Sequence, residues 1–158
     1  MKVEKVHAPA CKMIRAFQKK DELGVLEIAA ESPESAQWST GSYARLATEN
    51  GGLIFVSEED GKICGFIACR CIAEEAEILN LAVRREHRQR GEATALLEVA
   101  LKEFHAQKVS RIFLEVRESN AAAIAFYEKH GFAKTGRRGG YYQDPPEAAI
   151  VMEKKLTG

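Results

Sequence analysis

The 158-residue chain has no net charge and no long apolar run. Lysine and arginine total 23, as do aspartate and glutamate, and this balance argues against broad electrostatic binding to nucleic acid or to an anionic membrane. No segment approaches the ~20 consecutive apolar residues of a membrane-spanning helix, and residues 1–10 lack the apolar core of a secretory signal. The length suits a single core. We therefore expect a cytoplasmic protein with one domain over residues 11–158, and residues 1–10 are a candidate loose tail.

Cysteine is scarce and is not spaced for metal binding. The four cysteines are Cys11, Cys64, Cys69 and Cys71. No two of them form a C-x-x-C pair, and no histidine lies at zinc-finger spacing from them. We therefore predict reduced, partly buried thiols and no metal site. The histidines are scattered, so we assign them no role and expect surface positions for His7, His87, His105 and His130.

Hydrophobic periodicity predicts alternating strands and helices. Apolar residues between Ala93 and Phe104 follow the i, i+3, i+4, i+7 spacing of an amphipathic helix, and Asp60-Gly61 between two apolar runs is typical of a hairpin. Ser39 and Asn120 are expected helix caps. The predicted order is strand 11–17, helix 21–30, a short helix from Ser39 to Thr48, strands 53–56, 63–71 and 77–83, a turn at 74–75, a helix from Ala93, strand 112–116, helix 121–129 ended by Gly131, and strands 132–136 and 148–154 joined by a loop that holds Pro145 and Pro146.

The most informative segment runs from Leu79 to Ala95. There an apolar strand enters an arginine-rich loop, Gly91 follows, and an amphipathic helix starts at once. The first N–H groups of a helix lack intrahelical acceptors, and the helix dipole adds positive potential there. Glycine allows close approach of the backbone and a positive φ. The segment therefore predicts a cradle for a phosphate-bearing ligand.

Two motifs carry a family resemblance. Arg88, Gly91 and Ala93 match the pattern [Gln/Arg]-x-x-Gly-x-[Gly/Ala], and a strand, an Asn-capped helix with a tyrosine, and a Gly-Phe turn follow over residues 114–132. On these residues the chain, over residues 14–156, resembles the GNAT acyltransferase superfamily.

Three local segments and Trp38 narrow the resemblance. They are Leu-Glu-Val-Arg at 114–117, Arg-Arg-Gly-Gly-Tyr-Tyr at 137–142 and Pro-Pro-Glu-Ala-Ala-Ile-Val-Met at 145–152. These segments are most similar to the RimI group of ribosomal-protein-alanine N-acetyltransferases. The resemblance implies acetyl-CoA as donor and, as acceptor, the N-terminal α-amine of an alanine in a small-subunit ribosomal protein.

The resemblance also implies a fold and a cofactor site. The expected fold is α/β (α+β), a mixed, mostly antiparallel sheet of six or seven strands, splayed after the fourth strand and flanked by about four helices. Backbone N–H groups of residues 89–94 are expected to hold the pyrophosphate, and residues 81–83 to run beside the pantetheine arm. No metal is expected. The implied cofactor-binding residues are Leu81, Ala82, Val83, Arg88, Gln89, Arg90, Gly91, Glu92, Ala93, Thr94 and Asn120.

Glu92 departs from the family pattern, which usually has an apolar or small residue at this position. A carboxylate suits the first turn of a helix but repels a nearby pyrophosphate. We expect its side chain to point to solvent, and cofactor affinity to be weak if it does not.

The resemblance assigns an acid–base pair. Glu115 alternates with apolar strand residues and resembles the family's proton acceptor, while Tyr127 resembles the proton donor to the departing CoA thiolate. The Val83 N–H is the expected oxyanion donor. An α-amine has a pKa of ~7.7–8 against ~10.4 for lysine, so it asks little of its base, and a carboxylate acting through water suffices. Direct attack in a ternary complex is expected, and it leaves the cysteines without a catalytic role.

The acceptor groove is the least determined part of the site. Its candidate residues are Trp38, Tyr141, Tyr142 and Glu147. A monomer or weak dimer without nucleic-acid or membrane contacts is expected. Three alternatives stay open: a related enzyme that acts on lysine side chains or small amines, a non-catalytic acyl-CoA-binding module, and a nucleic-acid binder that uses the arginine loop.

Overall fold

The structure, a computed structural model, describes residues 12–32, 34 and 36–156. The predicted tail, Cys11 and His7 lie outside these residues, so the domain boundary stays a prediction. The described elements are β1 (Lys12–Ala16), α1 (Glu22–Ala30), α2 (Ser42–Thr48), β2 (Gly52–Glu59), β3 (Lys62–Ile72), β4 (Glu75–Val83), α3 (Glu92–Ala106), β5 (Arg111–Arg117), α4 (Ala121–Lys129), β6 (Ala133–Gln143) and β7 (Pro146–Lys155).

The strands form a single mixed sheet that opens at its centre. Its order is β1-β2-β3-β4-β5-β7-β6, and only β4 and β5 are parallel neighbours. Their pairing runs from Glu75↔Arg111 to Ile78↔Leu114 and then stops. The described residues thus confirm the expected splay after the fourth strand, with seven strands and four α-helices.

Two apolar clusters hold the helices against opposite faces of the sheet. One packs α1 and α2 on β2 and β3, with Tyr43 and Phe66 fully buried. The other packs α3 and α4 on β3, β4, β5 and β7, with Phe104 and Ile112 fully buried. Since β3 is covered on both faces, its sequence is a continuous apolar run instead of an alternating one. No helix of the described residues is long and apolar enough to cross a membrane.

Several local predictions are confirmed. Asp60 and Gly61 have φ of 50° and 81° and connect β2 to β3, as a primed hairpin turn requires. The Asn120 side chain accepts a hydrogen bond from Ala123 N at 3.1 Å and caps α4. Gly131, with φ of 90°, follows the end of that helix, in the left-handed conformation that commonly terminates helices.

The predicted cap of α2 is wrong. The helix begins at Ser42 after Gly41, and Ser39 lies outside it. The free N–H groups are satisfied by the carboxylate of Glu22, which accepts from Gly41 N at 2.6 Å and from Ala44 N at 2.7 Å. A carboxylate supplied by another helix therefore takes the place of a local hydroxyl, and no pattern within the α2 sequence announces it.

The last two strands are longer than predicted. Residues 137–143 continue β6, Pro146 already belongs to β7, and only Asp144 and Pro145 connect them. β6 is an edge strand with no buried residue, so it carries no apolar alternation, and pairing with β7 alone makes it a strand. The turn predicted at 74–75 lies at residues 73–74 instead, and Glu75 starts β4.

Candidate active site

The opening between β4 and β5 leaves part of the β4 backbone without a strand partner. Arg84 N donates to Cys64 O at 2.6 Å, and hydrogen-bonded pairs alternate along an antiparallel ladder. The β3–β4 pairs that contain Leu81 and Val83 are therefore of the non-bonded kind, so their backbone groups face the opening. The Val83 carbonyl accepts from Arg88 Nε at 3.1 Å. The Val83 N–H and both polar backbone groups of Leu81 remain directed into the cleft.

The predicted cradle at the start of α3 is built from backbone. Gln89 and Gly91 have φ of 62° and 79°, and the N–H groups of residues 89–94 have no backbone acceptor within the described residues. A Cβ added at Gly91 would meet no atom within 4 Å. The positive φ, rather than crowding, therefore favours glycine here. The loop presents a row of free donors at the positive end of the α3 dipole.

Glu92 does not point to solvent, so that expectation is wrong. Its residue is 2 % exposed. Ser57 Oγ donates to Glu92 Oε2 at 2.8 Å, and Lys12 forms an ion pair with Oε1. A carboxylate buried without partners would be strongly unfavourable, and these two partners from β2 and β1 compensate its charge. The repulsion on which the expected loss of cofactor affinity rested is therefore offset.

A cleft of about 430 Å³ lies between the β4 end, the cradle and α4. Every predicted cofactor-binding residue except Arg90 lines it. Arg90 is exposed in the same loop. The cleft combines the free N–H donors of the cradle with the apolar side chains of Ala123 and Phe126, so it suits a ligand that has both an anionic group and an apolar part.

The loop arginines are used unequally. Arg88 braces the loop, because its guanidinium donates to Val83 O at 3.1 Å and to Ser32 Oγ at 2.6 Å. Arg84 turns away and donates to Ile63 O at 3.0 and 3.1 Å. Arg85 and Arg90 are exposed, and their side chains make no hydrogen bond or ion pair with another described residue. The loop thus offers an anion its backbone donors and these two guanidinium groups, whereas Arg84 and Arg88 are engaged within the fold.

Glu115 lies in the middle of β5, on the face opposite the buried Ile112 and Leu114. Its side chain is 12 % exposed, and Arg138 Nη1 lies 3.7 Å from Oε1. Oε2 is buried without a hydrogen-bond partner in the part of the chain that the structure describes. A buried carboxylate oxygen without a hydrogen-bond partner is unfavourable. A water molecule or an amine that enters the site would therefore be stabilised by binding to this oxygen.

Tyr127 lies on α4 where two clefts meet. It is 6 % exposed and packs edge-on against Phe126 and Phe132. Burial raises the pKa of Tyr127 well above its usual value, because the phenolate would be poorly solvated. The hydroxyl therefore keeps its proton at neutral pH. Tyr127 lines both the cleft beside the N–H cradle and a second cleft.

The second cleft, of about 220 Å³, contains Glu115 and most of the predicted acceptor residues. Trp38, Tyr141 and Tyr142 line it. Burial and the nearby Glu115 charge raise the pKa of Tyr141. Tyr142 carries the Arg117 guanidinium 4.3 Å from its ring centroid, an attractive cation–π geometry. Aromatic side chains and the Glu115 carboxylate thus lie around the space beside Tyr127.

Glu147 does not line this cleft. Its carboxylate accepts from Ser119 N at 2.5 Å and pairs with Arg117 at 3.3 Å, and these contacts lower the pKa of Glu147. The side chain ties the start of β7 to the loop before α4. The structure therefore does not bring Glu147 together with Trp38 and the two tyrosines.

Sequence reasoning missed Glu77. This residue lies on β4 opposite Phe113 of β5 and lines the second cleft together with Glu115. Burial, and then the negative charge of Glu115, raise the pKa of Glu77. A glutamate at a half-buried strand position beside the splay is the signal that could have indicated it. The cleft thus contains two neighbouring carboxylates that favour a cationic ligand.

Comparison with known proteins agrees with this geometry. Residues 23–132 match the model of the Acetyltransferase (GNAT) family. Over 122 residues the chain is 38 % identical to the [ribosomal protein bS18]-alanine N-acetyltransferase of Escherichia coli K12. The aligned region covers 76 % of this chain and 82 % of that relative. The crystal structure of the E. coli ribosomal-protein-S18-alanine N-acetyltransferase superposes with a TM-score of 0.81 at 31 % identity, over 93 % of this chain and 96 % of that one.

A more distant solved structure shares the fold. A putative streptothricin acetyltransferase from Bacillus anthracis in complex with acetyl coenzyme A has a TM-score of 0.76 at 20 % identity, over 92 % of this chain and 99 % of that one. The present chain belongs to the GNAT acetyltransferase family, has the GNAT fold and is an acyltransferase. Within that family it is similar to the RimI group of ribosomal-protein-alanine N-acetyltransferases.

Proposed function

We propose that this protein transfers an acetyl group from acetyl-CoA to a protein N-terminal α-amine, with alanine at the start of a small-subunit ribosomal protein as the expected acceptor. The observation that carries the proposal is the position of Tyr127, which lines both the cleft with the N–H cradle and the cleft with the unpartnered Glu115 oxygen. The E. coli relatives named for this reaction support it.

The residues of the first cleft fit acetyl-CoA. The free N–H groups of residues 89–94 suit its pyrophosphate, and the open backbone groups of Leu81 and Val83 suit the amides of its pantetheine arm, as an added strand would. Acetyl-CoA supplies the acetyl group as an activated thioester. The acetyl-CoA complex of the B. anthracis neighbour supports this assignment.

The second cleft supplies the base. Glu115 accepts a proton from the acceptor amine through a water molecule held at its unpartnered oxygen. An α-amine with a pKa of ~7.7–8 is partly neutral at pH 7, so a carboxylate is a sufficient base. The amine nitrogen then attacks the thioester carbonyl directly in a ternary complex, the C–N bond forms, and the Val83 N–H stabilises the oxyanion.

Tyr127 supplies the acid. As the C–S bond breaks, the phenol donates its proton to the CoA thiolate. The same burial that raises the pKa of Tyr127 also raises that of a thiol leaving group in the cleft, since both anions are poorly solvated there. The proton therefore stays on the phenol until the thiolate forms.

The two carboxylates favour a cationic acceptor end. Glu77 and Glu115 attract the protonated α-amine, and the aromatic walls at Trp38, Tyr141 and Tyr142 restrict the chain that follows it. We assign Glu77 as a residue that positions the acceptor amine, beside the catalytic Glu115.

A peptide pair tests the proposal. Acetyl-CoA turnover is measured with a hexapeptide that begins Ala-Arg, and with its N-terminally blocked twin that carries an internal lysine. We expect turnover with the free N-terminus alone.

Three other outcomes would change the proposed function. Turnover with the blocked twin would place the protein among enzymes that act on lysine or small amines. Binding of CoA without turnover on either peptide would contradict the acceptor assigned here. RNA binding that is sensitive to salt and insensitive to CoA would favour the nucleic-acid alternative.

A further inference from the structure

A second group of chemically active side chains lies next to the cofactor loop, outside the acetyl-transfer site. Glu59 ends β2, Cys64 lies in β3, and His87 lies in the 3-10 turn that follows β4. One ligand atom from each lies within 4.8 Å of the others. Glu59 Oε2 is 2.9 Å from His87 Nδ1 and 3.9 Å from Cys64 Sγ.

These separations are close to those of a tetrahedral metal site. Bond lengths of ~2.3 Å for Zn–S and ~2.0–2.2 Å for Zn–N and Zn–O place neighbouring ligand atoms of a tetrahedron about 3.3–3.6 Å apart. The nitrogen–oxygen distance here is slightly shorter and the sulfur–oxygen distance slightly longer. The third separation, between Cys64 Sγ and a ring nitrogen of His87, is at most 4.8 Å, so small side-chain rotations would bring the three atoms around one cation.

The hydrogen bonding of the cluster is incomplete. His87 Nδ1 is buried, yet it has no aligned hydrogen bond to any described residue, although Glu59 Oε2 is close. Cys64 is 1 % exposed, and its thiol has only long contacts, to Lys62 O at 3.4 Å and to Glu59 Oε2. An imidazole nitrogen and a carboxylate that face each other in this way both gain a partner when a cation lies between them.

The ligand types also favour a cation. A thiolate and a carboxylate are anionic ligands, so Cys64 and Glu59 together would balance the charge of a divalent ion. The bound cation would in turn stabilise the thiolate form of Cys64, which is the form that ligates metals.

We propose that Glu59, Cys64 and His87 bind a divalent cation of the zinc class, with a fourth position left for water. Sulfur and imidazole ligands select this class over magnesium or calcium. Structural zinc sites have four protein ligands, whereas catalytic zinc sites have three protein ligands and an open fourth position. The cluster corresponds to the second arrangement. His87 also lines the cofactor cleft, so the cation would lie beside the cofactor loop. The ligands come from three separate elements, and for this reason cysteine spacing in the sequence does not indicate the site.

Cobalt titration of the reduced 158-residue chain tests this site without relying on activity. Co²⁺ bound through a cysteine thiolate shows a sulfur-to-metal charge-transfer absorption, and Zn²⁺ displaces it. We expect this absorption to appear and to saturate at an equimolar ratio. Cys64→Ser and His87→Asn should abolish it, and Glu59→Gln should weaken it.

Cys71→Ser is the matched control. Cys71 lies in the same strand but packs against the α3 side of the core, so its loss should leave the absorption unchanged. Absence of the absorption in the wild-type protein, or its persistence in Cys64→Ser, would overturn the proposal. Because Cys64 is buried, the Glu59→Gln variant, a change at a partly exposed side chain, keeps the test informative if Cys64→Ser does not fold.

Discussion

The two clefts that meet at Tyr127 are built in different ways. The cleft that we propose binds acetyl-CoA, the cofactor cleft, is formed mainly by backbone: N–H groups of residues 89–94 and the open edge of β4 at Leu81 and Val83. The cleft that we propose binds the acceptor, the acceptor cleft, is formed by side chains, among them Glu77, Glu115, Trp38, Tyr141 and Tyr142. A backbone site depends on chain conformation, whereas a side-chain site depends on which residues distant elements bring together.

This difference predicts how each cleft responds to substitution. Changes in the cofactor cleft should act through φ, ψ and strand geometry and should affect binding of CoA. Changes in the acceptor cleft should act through charge and protonation and should affect turnover and acceptor affinity. Substitutions at Glu115, Gly91 and Glu77 test whether the two kinds of effect are separate.

Glu115→Gln should give the largest effect. Loss of a general base lowers turnover by about 10²–10⁴-fold, while the affinity for CoA should not change. Above pH ~8 the acceptor α-amine is largely neutral without help, so the deficit should shrink there. The measurement is the pH profile of kcat/KM for wild type and variant with an Ala-initiated peptide, together with a Kd for CoA. A deficit of the same size at every pH would contradict the assignment of Glu115 as base.

Gly91→Ala should affect the other cleft. With φ of 79°, an L-residue at this position costs about 1–2 kcal/mol, which corresponds to about a tenfold loss of acetyl-CoA affinity when binding requires this conformation. The acceptor KM should not change. Titration calorimetry with CoA and steady-state kinetics measure the two effects.

Gly61→Ala is the matched control for that variant. Gly61 has φ of 81°, and, as at Gly91, a Cβ would meet nothing within 4 Å, but it lies in the β2–β3 hairpin turn. The Gly61→Ala substitution should lower Tm without changing the affinity for CoA. Equal loss of CoA affinity in both variants would show that the Gly91 effect is general destabilisation.

Glu77→Gln should give the smallest kinetic effect, a several-fold rise in acceptor KM with kcat and CoA affinity retained. It should also raise Tm at neutral pH. The folded-state pKa of Glu77 is raised above its unfolded value, so ionisation of this group opposes folding as pH rises through that interval. The gain in Tm should therefore disappear below the ordinary glutamate pKa of ~4.3.

Glu75→Gln is the control for Glu77. Glu75 lies two residues earlier on β4, is exposed and pairs with Arg111. The Glu75→Gln substitution should leave the acceptor KM unchanged and should not give the pH-dependent gain in Tm expected for Glu77→Gln. An unchanged acceptor KM in Glu77→Gln would show that Glu77 does not position the acceptor, even where the stability change is found.

Local pattern predicted most of the helices and strands and the N–H cradle at the start of α3, whereas the splayed sheet was expected from the family resemblance. The α3 periodicity, the Asp60-Gly61 turn and the Asn120 cap each depend on a few neighbouring residues, and each was confirmed. The predictions for the α2 cap and for the length of β6 were wrong because each feature depends on a distant part of the chain. Glu22 of α1 caps α2, and pairing with β7 extends β6. The prediction that the Glu92 side chain points to solvent was wrong for the same reason, since its partners Ser57 and Lys12 lie on other strands.

The sequence by itself determined the cradle and the order of the elements. The N–H groups at the start of α3 become free wherever that strand, loop, glycine and helix follow one another, because the helix geometry is local. Only the tertiary structure decided which carboxylates share the acceptor cleft, where Glu147 points, and that Glu59, Cys64 and His87 meet. These positions follow from strand pairing between residues far apart in the chain, and the side-chain types alone do not encode which of them become neighbours.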